Sequence, residues 1–488
     1  MAVHDLGFEK KSTTNQGFLT PIGVTEVLPG DVVKHKIDLM LRTQPLLAPV
    51  YHSVDVKIHN FFVPMRLIWD EWEDFITGGP DGNDTSVPPT VNSGGSGFAI
   101  GSLADHLGMA VGVVNIDVSA LPFRAYNLVY NEFYRDQDIE DTPVANSLAG
   151  GADTTSNTDL LVASWEKDYF TTCRPDTQKG DEVEIALTGN APVVTTGDDI
   201  TISGTGGTSF TNQTIKTNAA GDMQPNTGSN NTAIQFGDES GLEVDLSNVG
   251  AVSINDLRLA TALQRYKENM LTYGSRYAER MAAAFGVKNI DARLQRPEYL
   301  GGGSNVIQFS EVLDTGSAAG NVGTLKGHGI NVTSSNRYHR KIPEYGYIIS
   351  FLTIRPKTAY QQGNPRMYNR ETKEEFFQPE LEHIGMQAVK NKELYAAAAD
   401  PDGTFGYQNR YDEYRYRFDE VSGEFRDTLD FWHMGRIFGS EPALNEDFVK
   451  CEGVDRPFAV PADEFQVRAI HNMPVRRKLS ARAIPLVY

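Results

Sequence analysis

Ser164-Trp165-Glu166-Lys167 places a serine three residues before a lysine, the spacing of an acyl-transfer nucleophile and its base. Such sites also need Ser-Asp-Asn and Lys-Thr-Gly elements, and neither occurs in the chain. Asp400-Pro401-Asp402-Gly403 has the carboxylate spacing that opens a calcium loop. Position 12 counted from Asp400 is Tyr411 and not a bidentate Glu, so a plain turn is expected. The ten histidines are scattered, with no His-x-His pair, and there is no HExxH and no Walker A segment. His433, beside Trp432, reads as a packed, hydrogen-bonded residue. No spacing assembles a catalytic or metal site, and no cofactor is implied.

Two stretches carry a different chemistry. In Tyr411-Asp412-Glu413-Tyr414-Arg415-Tyr416-Arg417-Phe418 aromatics alternate with arginines. Rings can stack bases and guanidinium groups can meet phosphates; a half-buried strand with a solvated arginine face is the plainer reading. The C-terminal stretch 456–488 holds six Lys/Arg against two Asp/Glu. Arg476, Arg477, Lys478 and Arg482 are concentrated there. Arg415, Arg417 and these four are the candidate DNA-contacting residues, with pairing to another subunit's acids as the alternative.

Strands must position these groups. Val33, His35, Ile37, Leu39 and Leu41 alternate with Lys34, Lys36, Asp38 and Met40. Val54, Val56 and Ile58 alternate with Asp55, Lys57 and His59. Period-two alternation predicts strands with one buried face. Further strands are expected at 345–355, at 414–419 and at 465–470, the last followed by a basic tail. Trp69, Trp72 and Phe75 suggest a short helix ending at Gly78-Gly79. Residues 122–136 read as an amphipathic helix whose Tyr126, Val129, Tyr130 and Phe133 form a core stripe. Residues 253–286 read as a long helix, capped by Ser253 or Asn255, broken at Gly274 and closed by Gly286.

The chain has 488 residues and a net charge of −20. That balance disfavours a protein that mainly wraps free nucleic acid. Two distant cysteines, Cys173 and Cys451, exclude a disulfide scaffold and are expected as buried free thiols. No apolar run of 18 residues exists, so no membrane insertion is expected, and the first residues lack a secretory h-region. Triplets such as Asn212-Gln213-Thr214 are then incidental. Residues 181–250 stand apart: 33 of the 70 are Gly, Thr, Asn or Ser, and ten acids face one lysine. Short alternating pieces recur there, at 183–185, 200–202, 233–236 and 242–246. Val183, Ile185, Ile200, Ile202, Phe210, Ile234, Phe236, Leu242, Val244 and Leu246 are its apolar positions. Only Phe210 and Phe236 are aromatic, too little for a strong core, so copies meeting at an axis would have to bury them. The expected organisation is 1–180, first part of the main domain; 181–250, an inserted acidic excursion; and 251–488, the second part.

The segments LPGDVV (28–33), FFVPMRLIWDEWEDF (61–75), LPFRAYNLVYNEFYRDQ (121–137), KDYFTTCRPDTQKG (167–180), INDLRLATALQ (254–264), GSRYAERMAAAFGV (274–287) and DARLQRPEYLGGG (291–303) resemble gokushovirus major capsid proteins. So do EYGYIISFLTIRPKTAYQQG (344–363), EYRYRFDEVSGEFR (413–426), FWHM (431–434), PALNEDFV (442–449) and MPV (473–475). The resemblance spans nearly the whole chain in order. It fails at 181–250, and the chain runs on past MPV into Arg476-Arg477-Lys478 where the family usually ends shortly.

The resemblance implies a mainly β chain, an eight-stranded jelly-roll β-barrel with long interstrand insertions and a few short helices. It implies a structural, non-enzymatic capsid protein of a microvirus. About sixty copies would close a T=1 icosahedral shell around circular single-stranded DNA. Residues 181–250 would form a protrusion at each three-fold axis for host attachment. Implied partners are further copies of the chain, an internal scaffolding protein, a small basic DNA-binding protein, a pilot protein and a host-surface receptor. The implied location is the virion, assembled in the bacterial host cytoplasm. The competing reading is a carbohydrate-binding β-sandwich adhesin.

Overall fold

The computed structural model describes residues 2–140, 142–184, 254–274, 276–313 and 325–480, together with seven three-residue strands between 193 and 244. It divides the chain into two compact units, Met1–Thr177 with Met270–Tyr488, and Gln178–Asn269.

The first unit is built on two antiparallel sheets. The strands of these two sheets are β1 (Ala2–Asp5), β2 (Phe8–Thr14), β3 (Thr20–Val27), β4 (Val32–Thr43), β5 (Val54–Pro64), β6 (Glu298–Val306), β7 (Gln308–Leu313), β8 (Leu325–Ser334), β9 (Tyr338–Lys341), β10 (Gly346–Pro356), β11 (Phe465–Asn472) and β12 (Pro474–Arg477). The larger sheet has eight strands with β4 as its spine. The first part of β4 pairs with β9 and β12, and its later part with β8 and β11; β1, β2 and β7 extend the sheet. The smaller sheet runs β6-β5-β10-β3.

The alternation in β4 does what its spacing requires: Val33, His35, Ile37, Leu39 and Leu41 are buried. Ile37, Leu39 and Leu41, with Phe465, Val467 and Ala469 of β11, meet Val54, Val56 and Ile58 of β5 and Leu352 and Ile354 of β10 in one core cluster. Two sheets therefore face each other around a shared apolar layer, the arrangement of a sandwich. They do not close into the expected barrel. Side-chain amides bridge the seam between β6 and β8 in place of a ladder. Asn305 Nδ2 donates to the Val332 carbonyl (3.0 Å) and Asn331 Nδ2 to the Val306 carbonyl (2.8 Å).

The smaller sheet is covered on its other side. Helix α1 (Trp72–Thr77) ends at Gly78 in the left-handed region (φ 86°). Helices α2 (Leu103–Leu107) and α3 (Leu121–Val129) follow, the latter with Pro122 in its first turn and a π-helical turn after it. Tyr126, Val129 and Tyr130 are fully buried and pack with Phe61 of β5 and Phe351 of β10. The stripe is core, as its spacing predicts. A further cluster, including Phe170, Cys173, Tyr360, Phe405 and Phe448, holds the long loops together. Both cysteines are free and buried.

The long helical reading is also reproduced. Helix α4 (Ile254–Tyr273) stops at Gly274 (φ 90°), and α5 (Tyr277–Phe285) ends at Gly286. Ser253 lies outside the described residues, and Asn255 lies inside the helix and not at its cap. The apolar positions of α4 are largely on the surface: Leu257 is 52% and Leu263 43% exposed.

Residues 414–419 do not form the expected strand. Tyr411 adopts a left-handed conformation, a 3-10 turn spans Asp412–Tyr414, and irregular chain follows. The aromatics serve the loop core instead: Phe418 packs against Phe170 and Tyr360. The C-terminal basic segment is not all tail either, since Arg476 and Arg477 end β12.

In the second unit the strands Thr208–Phe210, Ile202–Gly204 and Ile234–Phe236 form one small sheet. Leu242–Val244 pairs with Val193–Thr195, and Ile215–Thr217 with Met223–Pro225. Val183 and Glu184 are not in a strand, contrary to the reading of 183–185. Ile185, Ile200 and Leu246 lie outside the described residues.

Candidate assembly and nucleic-acid surfaces

The residues with catalytic spacing are dispersed by the fold. Ser164 Oγ contacts the Tyr134 carbonyl (3.5 Å), Glu166 pairs with Lys57, and Lys167 pairs with Asp136. Ser164 and Lys167 thus turn to different partners. Asp400-Pro401-Asp402-Gly403 is a turn in which the Gly403 amide donates to Asp400 Oδ1 (3.1 Å), and Asp402 pairs with Lys392 (2.6 Å). His433 is buried with both ring nitrogens engaged. Nδ1 accepts from the Gly435 amide (2.9 Å), so Nε2 carries the proton and donates to the Phe425 carbonyl (2.8 Å). Burial, foremost, lowers its pKa. Among the described residues no group of three or more His, Cys, Asp or Glu could hold a metal ion.

The candidate DNA-contacting residues separate into two sets. Arg415 reaches Asp412 Oδ1 (2.6 Å) and Glu382 Oε1 (2.7 Å), and Arg417 reaches Glu420 (3.5 Å). Nearby, Arg370 lies over the Tyr414 ring (4.5 Å). The interleaved aromatics and arginines are thus largely satisfied within the loop. Arg477 makes a buried ion pair with Asp31, 2.6 Å from Nη2 to Oδ2. Arg476 and Lys478 are exposed and make no ion pair with a described carboxylate. Arg482 lies outside the described residues.

Sequence reasoning missed the companions of Arg476. The β-sheet register sets Arg476 of β12 beside Val32 of β4, and Lys341 of β9 beside Val32 on the other side. Lys34 follows two residues on, so all three share one face. The polar positions of the β4 alternation were a visible signal; their neighbours, supplied by distant segments, were not.

Of the apolar positions in the acidic excursion, the register places Ile202 opposite both Phe210 and Phe236. Leu242 pairs with Thr195 and Val244 with Val193. Among the described residues no helix is long and apolar enough to cross a membrane.

Buried polar groups stabilise the frame. Arg124 and Asp153 are both fully buried, with Nε 2.8 Å from Oδ2, and the guanidinium also donates to the Ile68 and Ala149 carbonyls. A chain of hydrogen bonds crosses the sandwich core. His471 is 3.0 Å from the Ile22 carbonyl through Nε2, which therefore donates. His471 Nδ1 then accepts from His35 Nε2 (3.0 Å), and His35 Nδ1 accepts from the Tyr338 hydroxyl (2.8 Å). The chain is complete with one proton on each ring, and burial opposes a second. Burial, with the neighbouring His471, pushes His35 down to about 3; burial pushes His471 down to about 4.

Comparison with known proteins places this frame in a family. The chain matches the family described as Capsid protein (F protein) over residues 2–487. It is 35% identical to Capsid protein VP1 of Bdellovibrio phage phiMH2K over 484 residues, covering 94% of this chain and 89% of that protein. It is 32% identical to Capsid protein VP1 of Chlamydia phage 1, covering 95% and 93%. It is 33% identical to Capsid protein VP1 of Spiroplasma virus 4, covering 92% and 88%. With its matching segments spread from end to end, the chain belongs to the F-protein family of bacteriophage capsid proteins, structural proteins of the gokushovirus type and not enzymes.

Proposed function

We propose that this chain closes a T=1 icosahedral shell of about sixty copies around circular single-stranded DNA, with the two-sheet sandwich as an eight-stranded jelly roll elaborated by insertions. The full-length match to phage capsid proteins carries this reading. Exposed apolar side chains support it. Leu257 and Leu263 of α4, and Tyr277 (67%) and Phe285 (67%) of α5, lie open in the single chain. Large exposed apolar surface marks sites that other molecules cover, and repeated contacts in a closed shell would cover it. Residues 181–250, acidic and poor in aromatics, form the three-fold protrusion for a host-surface receptor, with 1–180 and 251–488 as the shell. Scaffolding, small basic DNA-binding and pilot proteins are the further partners, and assembly takes place in the host cytoplasm.

The test is the native mass of assembled material with nuclease protection on the same fraction. Sixty chains of 53.8 kDa give roughly 3 MDa. A particle of that mass holding protected single-stranded DNA is the expected result. A stable monomer or trimer without DNA, with the viral partners present, would overturn the reading in favour of a carbohydrate-binding adhesin.

A further inference from the structure

The two outer faces of the sandwich differ. The smaller sheet is covered by α2, α3 and their loops. The outward face of the eight-stranded sheet carries no such layer in its own unit: Val332 of β8 is 67% exposed and Ile470 of β11 38%. The register fixes what this face presents. From β4 come Lys34, Lys36, Asp38, Met40 and Arg42, beside Arg468 of β11 and Lys11 of β2. Lys326 of β8, Lys341 of β9 and Arg476 of β12 share it. Eight Lys or Arg thus meet three carboxylates, Asp5, Glu9 and Asp38, in a chain of net charge −20.

Two of those carboxylates are already taken. Asp38 accepts from Lys36 (2.6 Å), and Glu9 is held by Arg468 (2.8 Å) with Lys11 alongside. Lys34, Arg42, Lys341 and Arg476 make no ion pair with a described carboxylate. Lys341 and Arg476 flank Val32 on adjacent strands, about 10 Å apart, and Lys34 lies about 7 Å further along β4. These cations have no described ion-pair partner, and among the described residues the face carries no Phe, Tyr or Trp, its only rings being the imidazoles of His328 and His339.

We infer that the outward face of the eight-stranded sheet is the surface that holds the phosphodiester backbone of single-stranded DNA. The inference rests on the capsid reading, which supplies a genome to enclose. Unpaired cations on a flat sheet suit a long polyanion, because each phosphate they neutralise releases a counterion. With no Phe, Tyr or Trp to stack a base and its charges aimed at phosphates, the face is indifferent to sequence. The capsid protein as a whole stays acidic, so attraction is confined to this side.

The test compares the full-length wild-type chain with Lys34→Gln/Arg42→Gln/Lys341→Gln/Arg476→Gln, using a thirty-nucleotide dT strand and a mixed-sequence strand across a salt series. Each lost phosphate contact lowers the slope of log K against log salt by about 0.7. The quadruple variant is therefore expected to lose up to about three units of slope, equally on both strands, with its unfolding midpoint unchanged. Arg415→Gln/Arg417→Gln, whose charges are met internally, should keep the wild-type slope. A quadruple variant with the wild-type slope overturns the inference. So does one with that slope that fails to assemble, which would make the face a contact for an acidic segment of another copy. Particle mass and protected DNA in the wild type test the capsid reading separately: wild-type particles with DNA and an unaltered quadruple variant would sink the surface and leave the capsid.

Discussion

Acid should loosen the sandwich core through the His35–His471 pair, and the amount follows from its hydrogen bonds. The chain Tyr338 to His35 to His471 to the Ile22 carbonyl uses one proton per ring; a second on His471 would face the His35 N–H, and a second on His35 would place a charge in the core. Phe8 stacks on His471 at 4.2 Å, and Lys10, itself lowered by burial to about 8, adds repulsion. The folded values are about 3 and about 4 against an ordinary 6.5. These are bases whose folded pKa is depressed, so between those limits the unfolded chain binds the extra protons. Their contribution is fully present above pH 6.5 and is lost as pH falls from there toward 4 and 3. At pH 5 each ring forgoes about 2 kcal/mol, or about 4 kcal/mol for the pair. His35→Leu removes one titrating ring and strands the Tyr338 hydroxyl and His471 Nδ1, a cost of about 2–4 kcal/mol at pH 7.5. Its further loss between pH 7.5 and 5 should be smaller than that of the wild type by about 2 kcal/mol. Equilibrium urea unfolding of both chains at the two pH values gives these numbers, and imidazole carbon shifts report each ring directly. Equal pH dependence in the two chains, or a ring of the pair protonating near pH 6.5, would refute the reasoning.

Glu464 gives the opposite slope. Burial raises its carboxyl to about 8 despite hydrogen bonds from the Gln16 amide (2.7 Å) and Gln16 Nε2 (2.9 Å), with Asp455 adding to the rise. A raised carboxyl contributes stability below pH 4.5 that is lost as pH rises toward 8. Glu464→Gln should therefore lose less stability than the wild type between pH 5 and 8, by about 1–3 kcal/mol, in the same unfolding assay. Arg124→Met leaves Asp153 buried without its cation and should cost about 3–5 kcal/mol, read as a fall in the denaturation midpoint. Gly23→Ala would put a methyl group 2.4 Å from the His471 ring. It should cost about 1–3 kcal/mol by overpacking and shift the imidazole signals of that ring, whereas a change elsewhere on β3 would leave them in place.

Much of the frame was legible in the sequence, because burial on one face writes itself into spacing. β4, β11 and the first half of β5 alternate because each has one core side, while β10, covered on both faces, reads as a continuous apolar run. The stripe of α3 and the break at Gly274 follow from helical periodicity and a left-handed glycine. The same logic fails at 414–419. Alternating rings and arginines there are consumed by a loop core, and Tyr411 turns the chain before a strand can form.

The sequence by itself determined the capsid family, the strand-rich frame and the polar side of β4. Tertiary structure decided which cations remain unspent. Arg477 is neutralised by Asp31, 446 residues away, while its neighbour Arg476 points to the opposite face and joins Lys34 and Lys341 around Val32. Adjacent residues of a strand face opposite sides, so one meets a buried carboxylate and the next an open surface. Only the pairing of distant strands says which carboxylates and cations those sides contain.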